Sequence, residues 1–419
     1  MRVSKRGARG VMRVLVVSQH YWPEPFNVSE ICEALVTIGH EVTVLTGTPN
    51  YPEGDIYPGY ENGMNARQYH NGVDVVRVPL VPRMHDPLHR VLNYYSFARN
   101  GERAQKGLSA DFDVVVSFQT SPVMQARPAI AFAERTGSPL LHYMVDIWPE
   151  CLLAGGIRKG SAVYRHYAKV SRRIYEKADR LVVTSPLFVD YLSNLLGHRI
   201  EAAFLPQYAE DGFFGREHAA EAVPGGYDAS KFNVTFAGNV GAAQSVQTLV
   251  RAAALLKSDA RFAFHVVGSG SELDSCAKLA DKLGAQNVAF HGRRDITEMP
   301  AFYAASDAMA ATFSSDEMLS WTLPRKVQSY MAAGRPIVAA IGGETERVVT
   351  DARCGMCCRA EDAEGLSDAV RLLAQLSPEQ RAEMGARGRE YCAAHFSKNR
   401  FIETLERELE QLKGTKHGV

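Results

Sequence analysis

The sequence has no long apolar run. Its longest candidates, such as the five residues Leu181 to Ser185, have the length of a β-strand, whereas a helix that spans a bilayer needs about 20 consecutive apolar residues. The sequence also has no excess of either sign of charge, because lysine plus arginine and aspartate plus glutamate both number 47. No bulk charge therefore draws the chain to nucleic acid or to a bilayer.

Cysteine is scarce, and its seven copies in 419 residues form an odd number. This argues against a secreted disulfide framework and favours the cytoplasm. The segment Cys354-Gly-Met-Cys357-Cys358 has the look of half a metal site, but no second Cys or His cluster has ligand spacing. We interpret it as a glycine turn that enters a buried strand, and we expect no metal. Residues 1–11 are basic but lack the apolar segment of a signal peptide, so we expect a disordered extension or an early start ahead of Met12.

Two series of short apolar runs alternate with helical patterns along the rest of the chain. Near-continuous apolar runs are typical of strands buried on both faces of a parallel sheet. The predicted fold is therefore α/β, with two doubly wound Rossmann-like domains that face an interdomain cleft. The predicted parts are an N-terminal domain at 12–205, a linker at 206–230, a C-terminal domain at 231–395 and a C-terminal helix or tail at 396–419.

Two glycine turns follow predicted strands of the second domain. The first contains Gly238, Asn239 and Gly241, and the second contains Gly268 and Gly270. Glycine at such a turn lets backbone N–H groups and a helix N-terminus approach a phosphate. Each turn taken singly is almost as well explained as a tight turn, the second one capped by Ser271.

A third turn, Gly342-Gly343-Glu344-Thr345-Glu346, offers Glu344 and Glu346 for sugar or ribose hydroxyls. Acidic residues are also favourable at a helix N-terminus through its dipole alone. Cations at the start of a helix oppose that dipole, so Arg325 and Lys326 directly after Pro324 indicate an anionic ligand such as a diphosphate. A solvated surface pair is the alternative.

In the first domain, Asp146 ends a predicted strand. It could orient a sugar hydroxyl or act as a base, or it could simply cap the next helix. The loops after the first two strands offer Glu24, Asn27 and Glu53 as candidate contacts for an acceptor.

Two helical stretches of the first domain, 90–99 and 164–175, mix basic and aromatic residues. Such faces can lie on an anionic membrane surface, although a helix that packs its aromatic side chains and solvates its charges has the same pattern.

Taken in order, the motifs resemble those of GT-B glycosyltransferases of family 4, over roughly residues 12–395, and more closely the branch of the L-fucosamine transferases and a colanic acid glycosyltransferase. The matching segments are SQHYWPEP at 18–25, GHEVTVLTGTPNYPEG at 39–54, DIWPE at 146–150, AGNVG at 237–241, VVGSGSE at 266–272 and LPRKVQSYMAAGRPIVAA at 323–340.

The resemblance implies retaining transfer of a sugar from a nucleotide donor, such as a UDP-sugar, to a lipid-linked saccharide at the inner face of the cytoplasmic membrane. It implies no metal or other cofactor, a donor site in the second domain and an acceptor site in the first. The implied catalytic residues are Asp146 and Lys326.

The chain departs from the usual family pattern at five positions. Asn239 and Gln244 stand in place of an Arg and a Lys, Trp321 and Ser329 in place of two glutamates, and Val145 in place of a histidine. The closer branch shares such losses and has a lysine after proline, which here is Lys326. A sugar-nucleotide epimerase of the same fold and a non-catalytic partner subunit are the alternative hypotheses. The sequence does not indicate the sugar, the acceptor or the oligomeric state.

Overall fold

The computed structural model describes residues 10–154, 156–213 and 225–416. Most of the predicted extension at 1–11 and the middle of the predicted linker at 206–230 lie outside this range. The chain divides into two compact units, one formed by residues 1–205 with 402–419 and the other by residues 206–401. The end of the chain therefore belongs to the first unit.

The first unit is built on an eight-stranded sheet. Its strands are β1 (Arg13–Val17), β2 (Glu41–Gly47), β3 (Arg67–His70), β4 (Val73–Val78), β5 (Val114–Gln119), β6 (Leu140–Met144), β7 (Arg180–Val183) and β8 (Ala202–Phe204). Its helices are α1 (Val28–Thr37), α2 (Pro87–Ala104), α3 (Arg127–Thr136), α4 (Cys151–Ala154), α5 (Ala162–Tyr175) and α6 (Phe188–Leu196). The strand order is β3-β4-β2-β1-β5-β6-β7-β8, so the direction of winding reverses between β1 and β5.

The apolar pattern does not predict strand β3. It pairs antiparallel with β4 at the edge of an otherwise parallel sheet, and its sequence Arg-Gln-Tyr-His is polar. The turn that joins the two strands is Asn71-Gly72, with φ angles of 47° and 86°. Two residues with positive φ, Asn then Gly, are the strongest local signal for a hairpin.

The second unit is built on a six-stranded parallel sheet with the order β11-β10-β9-β12-β13-β14. Its strands are β9 (Phe232–Ala237), β10 (Phe262–Val267), β11 (Val288–Gly292), β12 (Ala308–Thr312), β13 (Ile337–Ala340) and β14 (Gly355–Cys358). Its helices are α7 (Val246–Leu255), α8 (Leu273–Leu283), α9 (Met299–Ala304), α10 (Glu317–Ser320), α11 (Arg325–Ala332), α12 (Glu344–Asp351), α13 (Ala363–Gln375) and α14 (Pro378–His395). Winding reverses between β9 and β12, and ligands of such sheets bind beyond the carboxyl ends of the strands at this point.

Alternate residues of the central strands enter two different cores. In β13, Val338 and Ala340 pack with α7 and α13 on one face of the sheet, while Ile337 and Ala339 pack with α11 and α12 on the other. Burial on both faces explains why these strands are apolar throughout, as a doubly wound sheet requires.

The last helix, α15 (Lys398–Lys416), ends the described chain. Leu405, Leu409 and Leu412 are buried, as their spacing along one helical face suggests. Two ion pairs hold its end to the first unit, between Arg180 and Glu408 at 2.7 Å and between Lys413 and Asp113 at 3.1 Å. No helix in the described ranges is long and apolar enough to cross a membrane.

Candidate active site

The first two glycine turns of the second unit pack directly against each other. The N–H of Gly238 donates to the carbonyl of Val267, and the N–H of Val240 donates to that of Ser269, both at 2.9 Å. A Cβ at Gly268, where φ is 151°, would collide with the carbonyl oxygen of Gly238. The contact between the two turns therefore requires glycine at 268. This packing requirement stands beside the predicted role of the glycine in phosphate binding. Ser271 is not a cap, because the N-cap residue of α8 is Glu272.

The turn after β9 also meets the end of β12. The hydroxyl of Thr312 donates to the carbonyl of Gln244 at 2.7 Å, and the N–H of Ser314 donates to the carbonyl of Ala243 at 2.9 Å. The loop around Gly238 thus lies at the reversal point of the sheet, where a ligand is expected.

Lys326 lies at this point. Its Nζ is 3.8 Å from the centre of the Phe236 ring and 5.5 Å from that of Phe313. A Cβ at Gly238 would lie 3.1 Å from the same nitrogen, so the ammonium group points at the glycine turn. Within the described chain, this buried nitrogen has no hydrogen-bond partner.

Burial lowers the pKa of Lys326 to about 7. An ammonium group that leaves water without a hydrogen bond or counter-ion is costly. The cation–π contact with the two aromatic rings, worth about 2 kcal/mol for a desolvated pair, offsets only part of this cost. An anion at the Gly238 turn would supply the missing partner.

The neighbouring cation, Arg325, is in a different situation. Its Nη2 lies 3.1 Å from Oε1 of Glu210, and the hydroxyl of Ser329 donates to Oε2 of the same carboxylate at 2.9 Å. Glu210 belongs to the predicted linker, and no local signal indicates that it reaches α11. The carboxylate beside Ser329 therefore comes from a distant part of the sequence, and it compensates Arg325 but not Lys326.

Asn239 and Gln244 are bonded to each other across the turn. Nδ2 of Asn239 donates to Oε1 of Gln244 at 3.1 Å, and the N–H of Gly241 donates to the same oxygen at 3.2 Å. Both side chains are uncharged, so they contribute no cation beside Lys326.

The two candidate glutamates of α12 differ in exposure. Glu344 is buried, and Nη2 and Nε of Arg347 contact its two carboxylate oxygens at 2.6 and 2.9 Å. Its carboxylate raises the pKa of Arg347. Glu346 is exposed. Because Gly343 has φ of 68° and a Cβ there would collide with the carbonyl of Ser320, the start of α12 is held against α10.

In the first unit, Asp146 follows β6 and lies beside the end of β5. Its Oδ2 accepts a hydrogen bond from the Ser121 hydroxyl at 2.8 Å, and that hydroxyl accepts one from Nε1 of Trp148 at 3.0 Å. Burial raises the pKa of Asp146, opposed by the hydrogen bonds from Ser121. The side chain thus bonds to the neighbouring strand end and does not cap a helix. Only the adjacency of β5 and β6 could have indicated Ser121.

The candidate Glu24 is buried, and its carboxylate is fully engaged within the unit. Oε1 accepts from the N–H groups of Asn50 and Tyr51, both at 2.7 Å, and Oε2 lies 2.8 Å from Nδ1 of His20. It joins the loops after β1 and β2 and is not a free acceptor contact. His20, which the sequence analysis does not single out, completes this network.

The other two acceptor candidates are more accessible. Asn27 is half-buried at the start of α1, without a side-chain cap hydrogen bond, and Glu53 is exposed on the loop after β2. In the part of the chain that the structure describes, no group of three or more His, Cys, Asp or Glu side chains is placed to hold a metal ion.

Two family models match the chain, one on each unit. Residues 27–207 match a glycosyl transferase 4-like domain, and residues 231–375 match glycosyl transferases group 1. The putative colanic acid biosynthesis glycosyl transferase WcaI of Escherichia coli K12 is 26% identical over 86% of this chain and 91% of its own length. The probable glycosyltransferase WbjE of Pseudomonas aeruginosa is 28% identical over 65% of this chain and 68% of its own.

Solved structures show the same fold at low identity. Sucrose-phosphate synthase from Thermosynechococcus elongatus has a TM-score of 0.77 at 18% identity, with 96% of this chain and all of that chain covered. The Anabaena protein Alr3699/HepE, in complex with UDP and glucose, has a TM-score of 0.67 at 15% identity, with 95% of this chain and 99% of that chain covered.

The two parallel α/β units, the glycine turns at a sheet reversal point and the matched domains define the class of this protein, which is a glycosyltransferase with the GT-B fold. Within that class the match of the first unit to a 4-like model, together with the group 1 match of the second unit and the two curated relatives, supports family 4. Its curated relatives are glycosyltransferases as well.

Proposed function

We propose that the protein transfers a sugar, with retention, from a UDP-sugar to a polyprenyl-diphosphate-linked saccharide in the synthesis of a bacterial surface polysaccharide such as O-antigen or capsule. The observation that carries the proposal is the buried, unpartnered ammonium group of Lys326 beside the Gly238 turn. The biosynthetic name of WcaI supports the polysaccharide context. The sugar we propose is an N-acetylated amino sugar or a deoxy sugar.

The donor diphosphate would bind at the turn after β9. Lys326 supplies a point charge, and the N–H groups around Gly238 and Gly241 supply neutral donors. Gly268, Gly270, Asn239 and Pro324 would shape this site, and the exposed Glu346 could accept hydrogen bonds from sugar or ribose hydroxyls. The complex of Alr3699/HepE with UDP and glucose supports a uridine nucleotide in a protein of this fold.

The two remaining donor candidates would act indirectly. Glu344 is paired with Arg347 and Arg325 with Glu210. We therefore propose that Glu344 and Arg325 position the starts of α12 and α11, while Lys326 contacts the diphosphate. A cation placed where charge develops on the leaving group stabilises the transition state more than the ground state.

The chemistry follows from these roles. The acceptor hydroxyl oxygen forms a bond to the anomeric carbon from the face that UDP leaves, and the bond between that carbon and the β-phosphate oxygen breaks. UDP keeps the electron pair of this bond, and the proton of the acceptor hydroxyl goes to a phosphate oxygen. In this route Asp146, with its raised pKa, would orient that hydroxyl; in the alternative route Asp146 accepts the proton in place of the phosphate oxygen.

The acceptor would bind to the first unit. Asn27 and Glu53 are the proposed contacts, and the engaged carboxylate of Glu24 would hold their loops in place. A lipid-linked acceptor requires an approach to the cytoplasmic face of the membrane, and α2 supports this requirement. Leu88, Val91, Leu92 and Tyr95 form an exposed apolar stripe along that helix, with exposed fractions of 65%, 43%, 43% and 37%.

Cations surround this stripe. Arg90, Arg99 and Arg103 are exposed on α2, and Arg165, Lys169 and Arg173 are exposed on α5. The two helices meet where Tyr94 and Ala98 of α2 pack with Tyr167 of α5. An apolar stripe flanked by basic residues is typical of helices that lie on an anionic membrane surface.

The test compares Lys326→Ala with Arg325→Gln, its sequence neighbour. We expect Lys326→Ala to weaken UDP binding about 100-fold, because it removes a charge-assisted contact worth about 3 kcal/mol. Arg325→Gln should change UDP affinity less than about threefold, since its charge is already paired. Isothermal titration with UDP measures both variants.

Turnover separates the donor role from the acceptor role. Asp146→Asn should reduce sugar transfer to a polyprenyl-diphosphate saccharide about 100-fold while UDP affinity stays unchanged. Equal losses of transfer and UDP binding would remove Asp146 from the reaction. Full turnover by Lys326→Ala would remove the leaving-group role, and release of a new sugar nucleotide without acceptor would favour the epimerase.

A further inference from the structure

A cavity lies in the second unit, away from the glycine turns. Its volume is about 410 Å³. The end of α9 contributes Tyr303, the residues just before β13 contribute Arg335, and α14 contributes Ala386 and Arg389. Arg335 precedes β13 (Ile337–Ala340), so the cavity lies at the edge where parallel strands begin. Lys326 and the glycine turns lie at the opposite edge, where the strands end.

Two guanidinium groups face this cavity, and neither has a counter-ion in the part of the chain that the structure describes. Among the described residues, neither Arg335 nor Arg389 has a carboxylate within ion-pair distance. Arg335 donates to the carbonyl of Ala304 at 2.7 Å, and Arg389 donates to that of Ala333 at 3.1 Å. Each contact uses one of the five N–H donors of an arginine. In addition, Nε of Arg389 is buried and has no hydrogen-bond partner in the described chain.

Asp307, the carboxylate whose charge acts on Arg335, is engaged by other groups. Oδ2 of Asp307 accepts from the N–H of Asn233 at 2.8 Å, and its Oδ1 lies 3.5 Å from Nη2 of Arg381. Burial lowers the pKa of Arg335, and the charge of Arg389 lowers it further while Asp307 opposes the shift. The carboxylate that acts on Arg335 therefore already has two partners, the N–H of Asn233 and the guanidinium of Arg381.

The walls of the cavity leave room for a ligand and not only for an ion. Small side chains, including Ala333 and Ala386, line it. The rings of Phe213 and Tyr303, whose centres lie 5.1 Å apart, form an aromatic wall. Each arginine donates one hydrogen bond that caps a helix C-terminus, Arg335 at the end of α9 and Arg389 at the end of α11. These caps do not explain a cavity in which, among the described residues, both charges are uncompensated.

We propose that this cavity is a second anion site, which binds the phosphate group of a small phosphorylated molecule between Arg335 and Arg389. Guanidinium groups match the geometry of phosphate oxygens, and a phosphate monoester carries a charge close to −2 near neutral pH. Two arginines without counter-ions complement that charge. The site is separate from the donor site, and its existence does not depend on the proposed transferase reaction.

The test uses the full chain with Lys326→Ala, which weakens the donor site, and inorganic pyrophosphate as the probe. Isothermal titration should show one binding site. Arg335→Gln and Arg389→Gln should each weaken this binding about tenfold or more, because each loses a charge-assisted contact. Glutamine can still donate to the helix carbonyl, which protects the fold.

Two further variants make the test specific. Ala386→Leu fills the cavity without a change of charge and should also weaken pyrophosphate binding about tenfold by steric exclusion. Arg387→Gln, on the same helix but paired with Glu383 at 3.0 Å, should leave binding within about twofold of the parent. Thermal unfolding checks that each variant is folded.

Absence of pyrophosphate binding to the Lys326→Ala chain would overturn the proposal. So would binding that Arg335→Gln, Arg389→Gln and Ala386→Leu leave unchanged. Neither result bears on the transferase, because that function is tested with UDP at the opposite edge of the sheet.

Discussion

Charged groups near the ends of the strands differ between the two units in their hydrogen-bond partners. In the first unit, Glu24 has three partners and Asp146 is bonded to Ser121. In the second unit, Lys326 has a buried Nζ without a hydrogen-bond partner. Buried polar groups are normally satisfied within the protein, and an exception requires an explanation. These two carboxylates of the first unit are therefore satisfied within the described chain, whereas the ammonium of Lys326 is not.

This contrast also separates two neighbouring residues. Arg325 and Lys326 are adjacent on α11, yet Glu210 pairs with the first and leaves the second alone. The unpaired charge is the one that points at the Gly238 turn. An unpaired buried charge lowers the stability of the empty protein, and this cost is the reason why we propose an anion site at Lys326.

The largest expected effect concerns Glu24 of the first unit, whose carboxylate is hydrogen-bonded within the chain. Glu24→Ala should reduce the free energy of unfolding by about 3 kcal/mol, because the N–H groups of Asn50 and Tyr51 lose their acceptor in a buried loop pair. Chemical denaturation measures this loss. The matched control is Glu53→Ala, an exposed carboxylate on the loop that carries Asn50 and Tyr51, which should change stability by less than about 0.5 kcal/mol. Equal effects of the two variants would mean that Glu24 is not a buried anchor.

The second expected effect is a gain in stability, not a loss. Lys326→Met should raise the free energy of unfolding by about 2 kcal/mol at pH 6–7 in anion-free buffer, because it removes a buried charge and keeps the volume of the side chain. The ordinary pKa of 10.5 falls to about 7 in the folded chain. Between these values the unfolded chain binds a proton that the folded chain does not, so wild-type stability rises with pH. The gain from Lys326→Met should therefore fade between pH 7 and 10.5.

Denaturation of wild type and Lys326→Met across that pH range tests the prediction. A variant that is less stable than wild type at pH 6–7 would show that Lys326 supports the fold. In that case the unpaired ammonium would carry no argument for a ligand.

The smallest effect is the pH dependence of UDP binding. Since the pKa of Lys326 is about 7 and a diphosphate favours the charged amine, the affinity for UDP should fall up to about tenfold for each pH unit above 7. Titrations from pH 7 to 8.5 measure the slope. Lys326→Arg keeps its charge over this range and should bind UDP with no such slope. The same slope in both proteins would assign the proton to another group.

Much of the fold could be predicted because buried parallel strands are apolar along their whole length. The runs that become β1, β9 and β13 show this pattern in the sequence itself. The same pattern could not predict strand β3, because an exposed edge strand carries polar residues. Its Asn71-Gly72 turn was the signal that could have indicated it.

The candidate site could be predicted only in part. Glycines and charges after strands identify Gly238, Lys326 and Asp146 as residues of interest. The partners of such residues come from other strand ends and loops, as Ser121 and Glu210 show, and nothing in the local sequence pairs them. Glu24 and Glu344 follow strands, as the exposed glutamates Glu53 and Glu346 do. The structure nevertheless buries both, and it pairs Glu24 with the N–H of Asn50 and Glu344 with Arg347.

The sequence by itself determined the two α/β units, the glycine turns after strands and the family, because these depend on local patterns and on motifs in order. Only the tertiary structure decided which charges are compensated. That decision depends on contacts between residues far apart in the chain, such as Glu210 with Arg325, and on the burial of the Lys326 ammonium between Phe236 and the Gly238 turn. The free energy of a charge in a protein depends on its surroundings and not on its residue type.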